Sequence, residues 1–129
     1  MDYLWIALGS AAGGVSRALV VNWLAQRLAL APIWSTVAVN VTGSLAIGFL
    51  TAWVGRPAED GHPVRAVAGP LLMTGFCGGY TTFSAFSLHT LQLAQSQRWW
   101  QAGANIVLSL VLCLLAVGLG WLAGSAGRR

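Results

Sequence analysis

The sequence predicts an all-α integral membrane protein with four transmembrane helices, the third of which is broken near the midplane of the bilayer. Hydrophobic residues occupy 57% of the 129 positions and charged residues only 8%, with a mean hydropathy of +0.70. Soluble globular domains do not have this composition. Charged side chains leave uncharged windows at 3–16, 28–55, 66–97 and 99–127, and about 20 apolar residues suffice for one crossing.

Tryptophans indicate the ends of the first, second and fourth spans. Three pairs lie 18 to 21 residues apart, namely Trp5 and Trp23, Trp34 and Trp53, and Trp100 and Trp121. This spacing corresponds to about 27 to 32 Å along a helix, and tryptophan prefers the two membrane interfaces. We therefore predict a single transmembrane domain over residues 1–129. Its spans lie near 3–25, 34–54, 64–90 and 99–123, joined by short loops.

The third span contains the segment 74–87, which is apolar enough to cross the membrane but unsuited to a regular helix. Gly75, Gly78 and Gly79 weaken the helix at one point, and threonine and serine hydroxyls follow. Backbone that is not helical at membrane depth is tolerated only inside protein or beside a watery cavity. The segment therefore predicts both the helix break and the location of a transport site.

Arginines near the ends of the spans give almost no orientation bias. The face that carries both termini would hold four of them, and the opposite face three: Arg56, Arg65, Arg128 and Arg129 against Arg17, Arg27 and Arg98. Because such charges set membrane topology, the chain has little preference for either orientation. An antiparallel homodimer and a weakly biased protein that inserts in one direction both fit this count.

Two polar residues inside the first two spans are candidates for ion contact. Arg17 lies within the first span, after Gly9, Gly13 and Gly14, whose spacing provides a small-residue face for helix contact. Its guanidinium either attracts an anion or anchors the helix at the interface. Asn40 is a carboxamide deep in the second span, and it either contacts the transported substrate or bonds to a neighbouring helix.

Two short stripes of side chains run along the third span. Phe83 and Phe86 are three residues apart, as are Ser84 and Ser87, and residues at this spacing share a helix face. Because the edge of a phenyl ring is positive, ring edges beside hydroxyls suit an anion, although such a pattern also occurs in ordinary packing. Asn105 and Ser109 add donors on one face of the last span.

Several classes of function are disfavoured by what the sequence lacks. No aspartate or glutamate lies inside a span, whereas a small proton-coupled drug exporter needs a carboxylate there. His89 and Cys77 are twelve residues apart and have no third orienting group, so we predict that the protein is not an enzyme. The net charge of +4 includes no basic run of the kind that binds nucleic acid.

Residues 75–87 closely resemble the third-helix signature of the Fluc (CrcB) family of fluoride channels. Val39, Asn40 and Gly43 are similar to that family's second-helix motif, and the glycines ahead of Arg17 to its first-helix pattern. The resemblance covers the whole chain. It implies a fluoride-selective channel of the bacterial inner membrane, built as an antiparallel homodimer with two fluoride pathways and one structural sodium ion between the subunits.

The resemblance also implies roles for individual residues. The backbone carbonyls of Gly78 and Thr81 would bind sodium, and the fluoride pore would be lined by Asn40, Phe83, Phe86, Ser84, Ser87 and Ser109. Arg17, His89, Asn105 and Cys113 are candidates for the vestibule. His89 stands where relatives often carry glutamate, Asn105 where some carry tyrosine, and Cys113 where serine is common. His89 either draws fluoride inward when protonated or packs at the interface.

Two rival functions stay open beside the channel. The chain could be a small multidrug exporter, which shares four spans and dual topology, or a subunit of a membrane complex with no transport of its own. A measurement of fluoride flux separates all three.

Overall fold

The computed structural model describes residues 2–54 and 63–126, with side chains of the third span described from residue 66 onward. The described chain is helical apart from short connections. Its elements are α1 (Asp2–Leu28), α2 (Pro32–Val54), α3 (Pro63–Ala68), a π-helix (Gly69–Cys77), α4 (Gly78–Tyr80), α5 (Phe83–Gln95) and α6 (Trp99–Ser125). The side chains of Arg56, Arg65, Arg128 and Arg129, used in the arginine count above, lie outside the described residues.

Four helical spans with a bent third span are confirmed. α1, α2 and α6 are each long and apolar enough to cross a membrane. The third span consists of α3, the π-helix and α4 on one side of a break and α5 on the other. Pro70, in the first turn of the π-helix, has no N–H group to donate, and such a gap in the hydrogen-bond ladder favours a local change of helix type.

The break falls at two threonines rather than at the glycines. Gly78 has helical dihedral angles of φ −63° and ψ −39°, and α4 continues through Tyr80. Thr81 (φ −81°, ψ 160°) and Thr82 (φ −150°, ψ 114°) are extended, a conformation that suits β-branched residues. The glycine pattern therefore predicts a break in the third span correctly but places it at the wrong residues.

The glycines serve instead to bring α1 against the third span. A side chain at Gly9 or Gly13 would collide with the backbone of the π-helix, and one at Gly75 or Gly79 would collide with the backbone of α1. Small residues allow such close contact between membrane helices. Gly14 is not part of this contact, because nothing lies within 4 Å of the position a Cβ would take there.

α2 and α6 also pack closely against each other at glycines. A Cβ at Gly48 would meet the Val117 carbonyl oxygen of α6, and one at Gly120 would meet the Leu45 carbonyl oxygen of α2. Val39 and Ala52 of α2 are fully buried. Since α2 also contacts the π-helix and α5, it holds both halves of the broken span in position.

Candidate ion pathway

Asn40 of α2 holds the break open through two hydrogen bonds to one residue. The Thr82 N–H donates to Asn40 Oδ1 at 2.7 Å, and Asn40 Nδ2 donates to the Thr82 carbonyl at 3.0 Å. An N–H can only donate and a carbonyl can only accept, so this pairing fixes the orientation of the amide. Asn40 thus supplies the Thr82 backbone with the partners that a continuous helix would have given it.

Thr82 is also the N-cap of α5. Its hydroxyl oxygen accepts a hydrogen bond from the Ala85 N–H at 3.2 Å, which is the usual arrangement of a helix N-cap. The first residue of α5 is Phe83. Asn40 and Thr82 together therefore determine where the phenylalanine-bearing helix starts and how it is rotated.

Phe83 and Phe86 border a cavity of about 580 Å³ between the third span, α2 and α6, which we call the Phe86 cavity. Their ring centroids are 5.3 Å apart and the rings are tilted by 47°. In the single chain Phe83 is 75% exposed, so its ring is not packed into a core. The cavity wall also includes further predicted site residues, namely Asn40, Gly78, Thr81, Ser109 and Cys113.

A second cavity, the Arg17 cavity, lies where α1, α2 and α5 approach one another. Its volume is about 600 Å³, and its polar lining comprises Arg17, Asn22, Thr36, Thr82, Ser84 and His89. The structure thus brings Arg17 and His89 together, as the vestibule prediction requires, and adds Ser84 to them. Thr82 lines both cavities, so this residue of the helix break is common to the two linings.

Arg17 and His89 each have a polar partner in this second cavity. Arg17 Nη1 donates to the Thr81 carbonyl at 3.4 Å. The Thr36 hydroxyl donates to the Pro32 carbonyl at 3.1 Å and lies 3.2 Å from His89 Nδ1. The single hydroxyl hydrogen of Thr36 can serve one of these two partners at a time, so the direction of the bond to His89 depends on the imidazole tautomer.

Asn105 and Ser109 form a buried chain of hydrogen bonds that connects α6 with α5. Ser109 donates to Asn105 Oδ1 at 3.3 Å, and Asn105 Nδ2 donates to the Thr90 hydroxyl at 2.8 Å. Thr90 in turn donates to the Phe86 carbonyl at 2.8 Å. Asn105 is 5% and Ser109 7% exposed. Two of the predicted vestibule residues are therefore not in the Arg17 cavity. Asn105 does not line it, and Cys113 lines the Phe86 cavity.

Ser87 lines neither cavity. Its side chain is exposed on α5 and its hydroxyl donates to the Phe83 carbonyl at 3.0 Å. The stripe of Ser84 and Ser87 predicted from the sequence is therefore divided in the single chain, because only Ser84 faces a described cavity.

The break also removes the helical N–H donors of two backbone carbonyls at the end of α4. In a continuous helix the Gly78 carbonyl would accept from the Thr82 N–H, but that N–H donates to Asn40. The corresponding donor for the Thr81 carbonyl, the Ala85 N–H, bonds to the Thr82 hydroxyl. Carbonyl oxygens at a helix C-terminus carry partial negative charge, so Gly78 and Thr81 provide oxygen ligands of the kind that hard cations prefer.

The CrcB-like protein, Camphor Resistance (CrcB), family model matches residues 4–121 of this chain. The chain is a member of the CrcB family. A fluoride-specific ion channel FluC from Methylocella silvestris is 48% identical over 120 residues, covering 93% of this chain and 90% of the relative. One from Opitutus terrae is 48% identical over 124 residues, with coverage of 94% and 90%. One from Paramagnetospirillum magneticum is 44% identical over 130 residues, with coverage of 100% and 99%.

Three residues of this CrcB protein belong to the site but are not among those predicted from the sequence. Thr82 lines both cavities, Thr90 links α5 to Asn105, and Thr36 contacts His89. Thr82, Phe86 and Thr90 recur at four-residue intervals, the spacing of one helix face. This four-residue interval is the sequence pattern that points to Thr82 and Thr90. The contact of Thr36 with His89 joins residues 53 positions apart, so no local pattern predicts it.

Proposed function

We propose that this CrcB protein is a fluoride-specific ion channel that conducts fluoride passively out of the cell across the bacterial inner membrane. The observation that carries the proposal is the near-full-length identity to relatives named as fluoride-specific ion channels. Passage of an ion through a pore makes and breaks no covalent bond. The protein is accordingly a multi-pass membrane transport protein and not an enzyme.

In the proposed mechanism fluoride first enters the Arg17 cavity. The guanidinium of Arg17 attracts the anion, and no carboxylate occurs in any span to repel it. Hydroxyl groups of Thr36, Thr82 and Ser84 line the same space, so water can be exchanged in stages for protein donors. His89 adds a second positive charge when it is protonated. Sites along a pore must hold the ion strongly enough for entry and weakly enough for release.

From Thr82, which lines both cavities, the ion passes into the Phe86 cavity. The positive edges of Phe83 and Phe86 stabilise an anion there without the strong binding that a full charge would give. Ser109 lines the same cavity, and Ser87 and Cys113 complete the polar lining in the proposed assembly. Asn40 acts mainly by positioning Phe83, since both polar groups of its amide are paired with Thr82.

The direct test is ion flux from liposomes that contain the purified protein. We expect rapid fluoride efflux and very little chloride efflux, because fluoride is small enough to replace its hydration shell with the donors of a narrow pore. Protein-free liposomes provide the baseline for each ion. Equal fluoride and chloride fluxes would contradict a fluoride-specific pathway.

The same measurement separates the two rival functions. A small multidrug exporter would require a carboxylate within a span for proton exchange, and this sequence has none there. A subunit of a larger membrane complex without transport activity would give no flux as a purified protein. Fluoride efflux from this chain alone would exclude that second rival.

The proposal includes an antiparallel homodimer. In the single chain Phe83 is largely exposed and Gly78 is exposed with open space beside it, so the proposed pore wall and carbonyl ligands lie at an uncovered face. A second copy would cover that face. The near equality of four and three arginines on the two membrane faces supports insertion in both orientations.

A structural sodium ion would use the carbonyls of Gly78 and Thr81, which the break leaves without their helical donors. One chain offers two of these oxygens, and a crossing with an inverted copy would offer four around one hard cation. The Thr81 carbonyl also accepts a hydrogen bond from Arg17 Nη1 at 3.4 Å, so in the proposed site its two lone pairs would be shared between the guanidinium and the cation. When bound, the cation would neutralise the carbonyl dipoles of the two breaks and hold them together.

Gly78 and its neighbour Gly79 allow a matched test of the dimer. We expect Gly78→Leu to fold, because nothing in the chain lies within 4 Å of the added Cβ. The leucine would block the proposed crossing with a second copy, so the protein should have single-chain mass. Gly79→Leu should instead disrupt the fold, since its Cβ would collide with the Ser10 backbone. Light scattering gives the mass and circular dichroism the helix content. A Gly78→Leu protein of two-chain mass would contradict the proposed crossing.

A further inference from the structure

A cleft that plays no part in the proposed ion pathway opens between the start of α2, the end of α5 and the start of α6. Its volume is about 250 Å³, and we call it the Trp34 cleft. The lining residues are Ala31, Ile33, Trp34, Val37, Leu93, Arg98, Gln101, Ala104, Asn105 and Leu108. Four of them, at 101, 104, 105 and 108, lie on one face of α6.

Most of the lining changes from polar to apolar with depth in the membrane, and the exception is Asn105, whose amide is hydrogen-bonded to Thr90 and Ser109. Arg98 is the N-cap of α6 and Gln101 lies in its first turn, so both are at the membrane interface. Val37 and Leu108 lie further along α2 and α6 and provide apolar walls. Trp34, which is half exposed, stands at the rim, where tryptophan contacts lipid headgroups. A phospholipid has the same order of polarity along its length.

Within the described residues of one chain, Arg98 has no acidic neighbour. The one acidic residue there is Asp2, which begins α1 at the opposite end of the helices from the start of α6. A guanidinium presents several N–H donors in a planar fork that matches a phosphate group. The Arg98 end of the cleft therefore suits a phosphate.

We propose that the Trp34 cleft binds one anionic phospholipid per chain, with its phosphate at Arg98 and Gln101 and the upper part of an acyl chain against Val37 and Leu108. The charge of Arg98 selects the anionic headgroup. The apolar walls distinguish a lipid from a soluble phosphate, because a free ion would leave them uncovered. This cleft is separate from both cavities of the proposed fluoride pathway, so lipid retention can be measured whether or not the protein conducts.

Arg27 provides a matched control for Arg98. It ends α1 on the same membrane face, is exposed in the same way, and does not line the cleft. Arg27→Gln and Arg98→Gln therefore remove the same charge from the same face. Ala104→Leu is the complementary change, because it fills the cleft and leaves both arginines in place.

The experiment is native mass spectrometry of the detergent-purified protein with phosphatidylglycerol or phosphatidylcholine of identical acyl chains. We expect one phosphatidylglycerol per chain to be retained in preference to phosphatidylcholine. Arg98→Gln should weaken that retention about ten-fold, the effect of losing one hydrogen-bonded charge. Ala104→Leu should weaken it similarly, and Arg27→Gln should leave it unchanged. Circular dichroism checks that each variant remains helical.

Several outcomes would overturn the proposal. Equal losses in Arg27→Gln and Arg98→Gln would mean that the lipid responds to diffuse surface charge. Full retention by a folded Ala104→Leu protein would mean that the lipid binds outside the cleft. Equal retention of both lipids would exclude headgroup selection, and displacement of phosphatidylglycerol by soluble glycerophosphoglycerol at equal concentration would identify a phosphate site rather than a lipid site.

Discussion

Phe86→Ile is expected to reduce fluoride efflux to the level of protein-free liposomes, and Phe83→Ile to do the same. Isoleucine keeps most of the apolar volume but has no positive ring edge to offer an anion. The two rings lie 5.3 Å apart at the border of one cavity, so an ion that passes one meets the other. The measurement is the initial rate of fluoride efflux from liposomes at matched protein density.

Phe49→Ile is the matched control for both pore variants. Phe49 is also partly exposed, but it lies on α2 outside the Phe86 and Arg17 cavities. We expect it to conduct as the unmodified protein does. Light scattering should show an unchanged mass for all three proteins. Normal efflux from both Phe83→Ile and Phe86→Ile would remove these rings from the pathway.

Asn40→Leu is expected to abolish fluoride efflux and to destabilise the protein. Both hydrogen bonds to the Thr82 backbone would be lost, and leaving a buried polar group unpaired costs about 1–3 kcal/mol. The backbone can recover partners by closing the break, because the Thr82 N–H can then reach the Gly78 carbonyl as in a regular helix. That closure would rotate α5 and move both phenylalanines away from their cavity.

Thr42→Val serves as the control for Asn40→Leu. Thr42 is on α2, its side chain is exposed, and its hydroxyl bonds back to Ala38 at 2.8 Å and lies 3.1 Å from the Tyr80 hydroxyl. Its loss removes a polar group from α2 without altering the pairing at Thr82. Efflux and thermal unfolding in detergent are measured for both variants. An Asn40→Leu protein that conducts normally would show that the break does not depend on this amide.

The membrane fold could be predicted from sequence because its signals are local. Uncharged windows and tryptophan pairs depend only on the thickness of the bilayer, so four spans follow from the sequence, of which the third is interrupted. The position of the break has no such local signal. Glycine predicts a weak helix, yet Gly75 and Gly79 remain helical because α1 packs against them. The actual break depends on Asn40, which is 42 positions from Thr82.

The site shows the same division between local and distant information. The pairing of Phe83 with Phe86 was predicted, because both lie on one face of one helix. Arg17 had two open roles, and the structure shows its guanidinium at the Thr81 carbonyl, inside a cavity with His89. Thr90 was missed, since its importance comes from Asn105 on another helix.

The hydroxyl groups along the proposed pathway are already engaged before any ion arrives. Thr81 donates to the Cys77 carbonyl at 2.9 Å, Ser87 to Phe83 at 3.0 Å, and Ser109 to Asn105 at 3.3 Å. A fluoride ion therefore gains each hydrogen only by exchange with another acceptor, and the net stabilisation is the difference between two bonds. When the ion moves on, the hydroxyl can return to its former partner. Such a lining holds fluoride briefly and needs no water to satisfy these three donors in its absence.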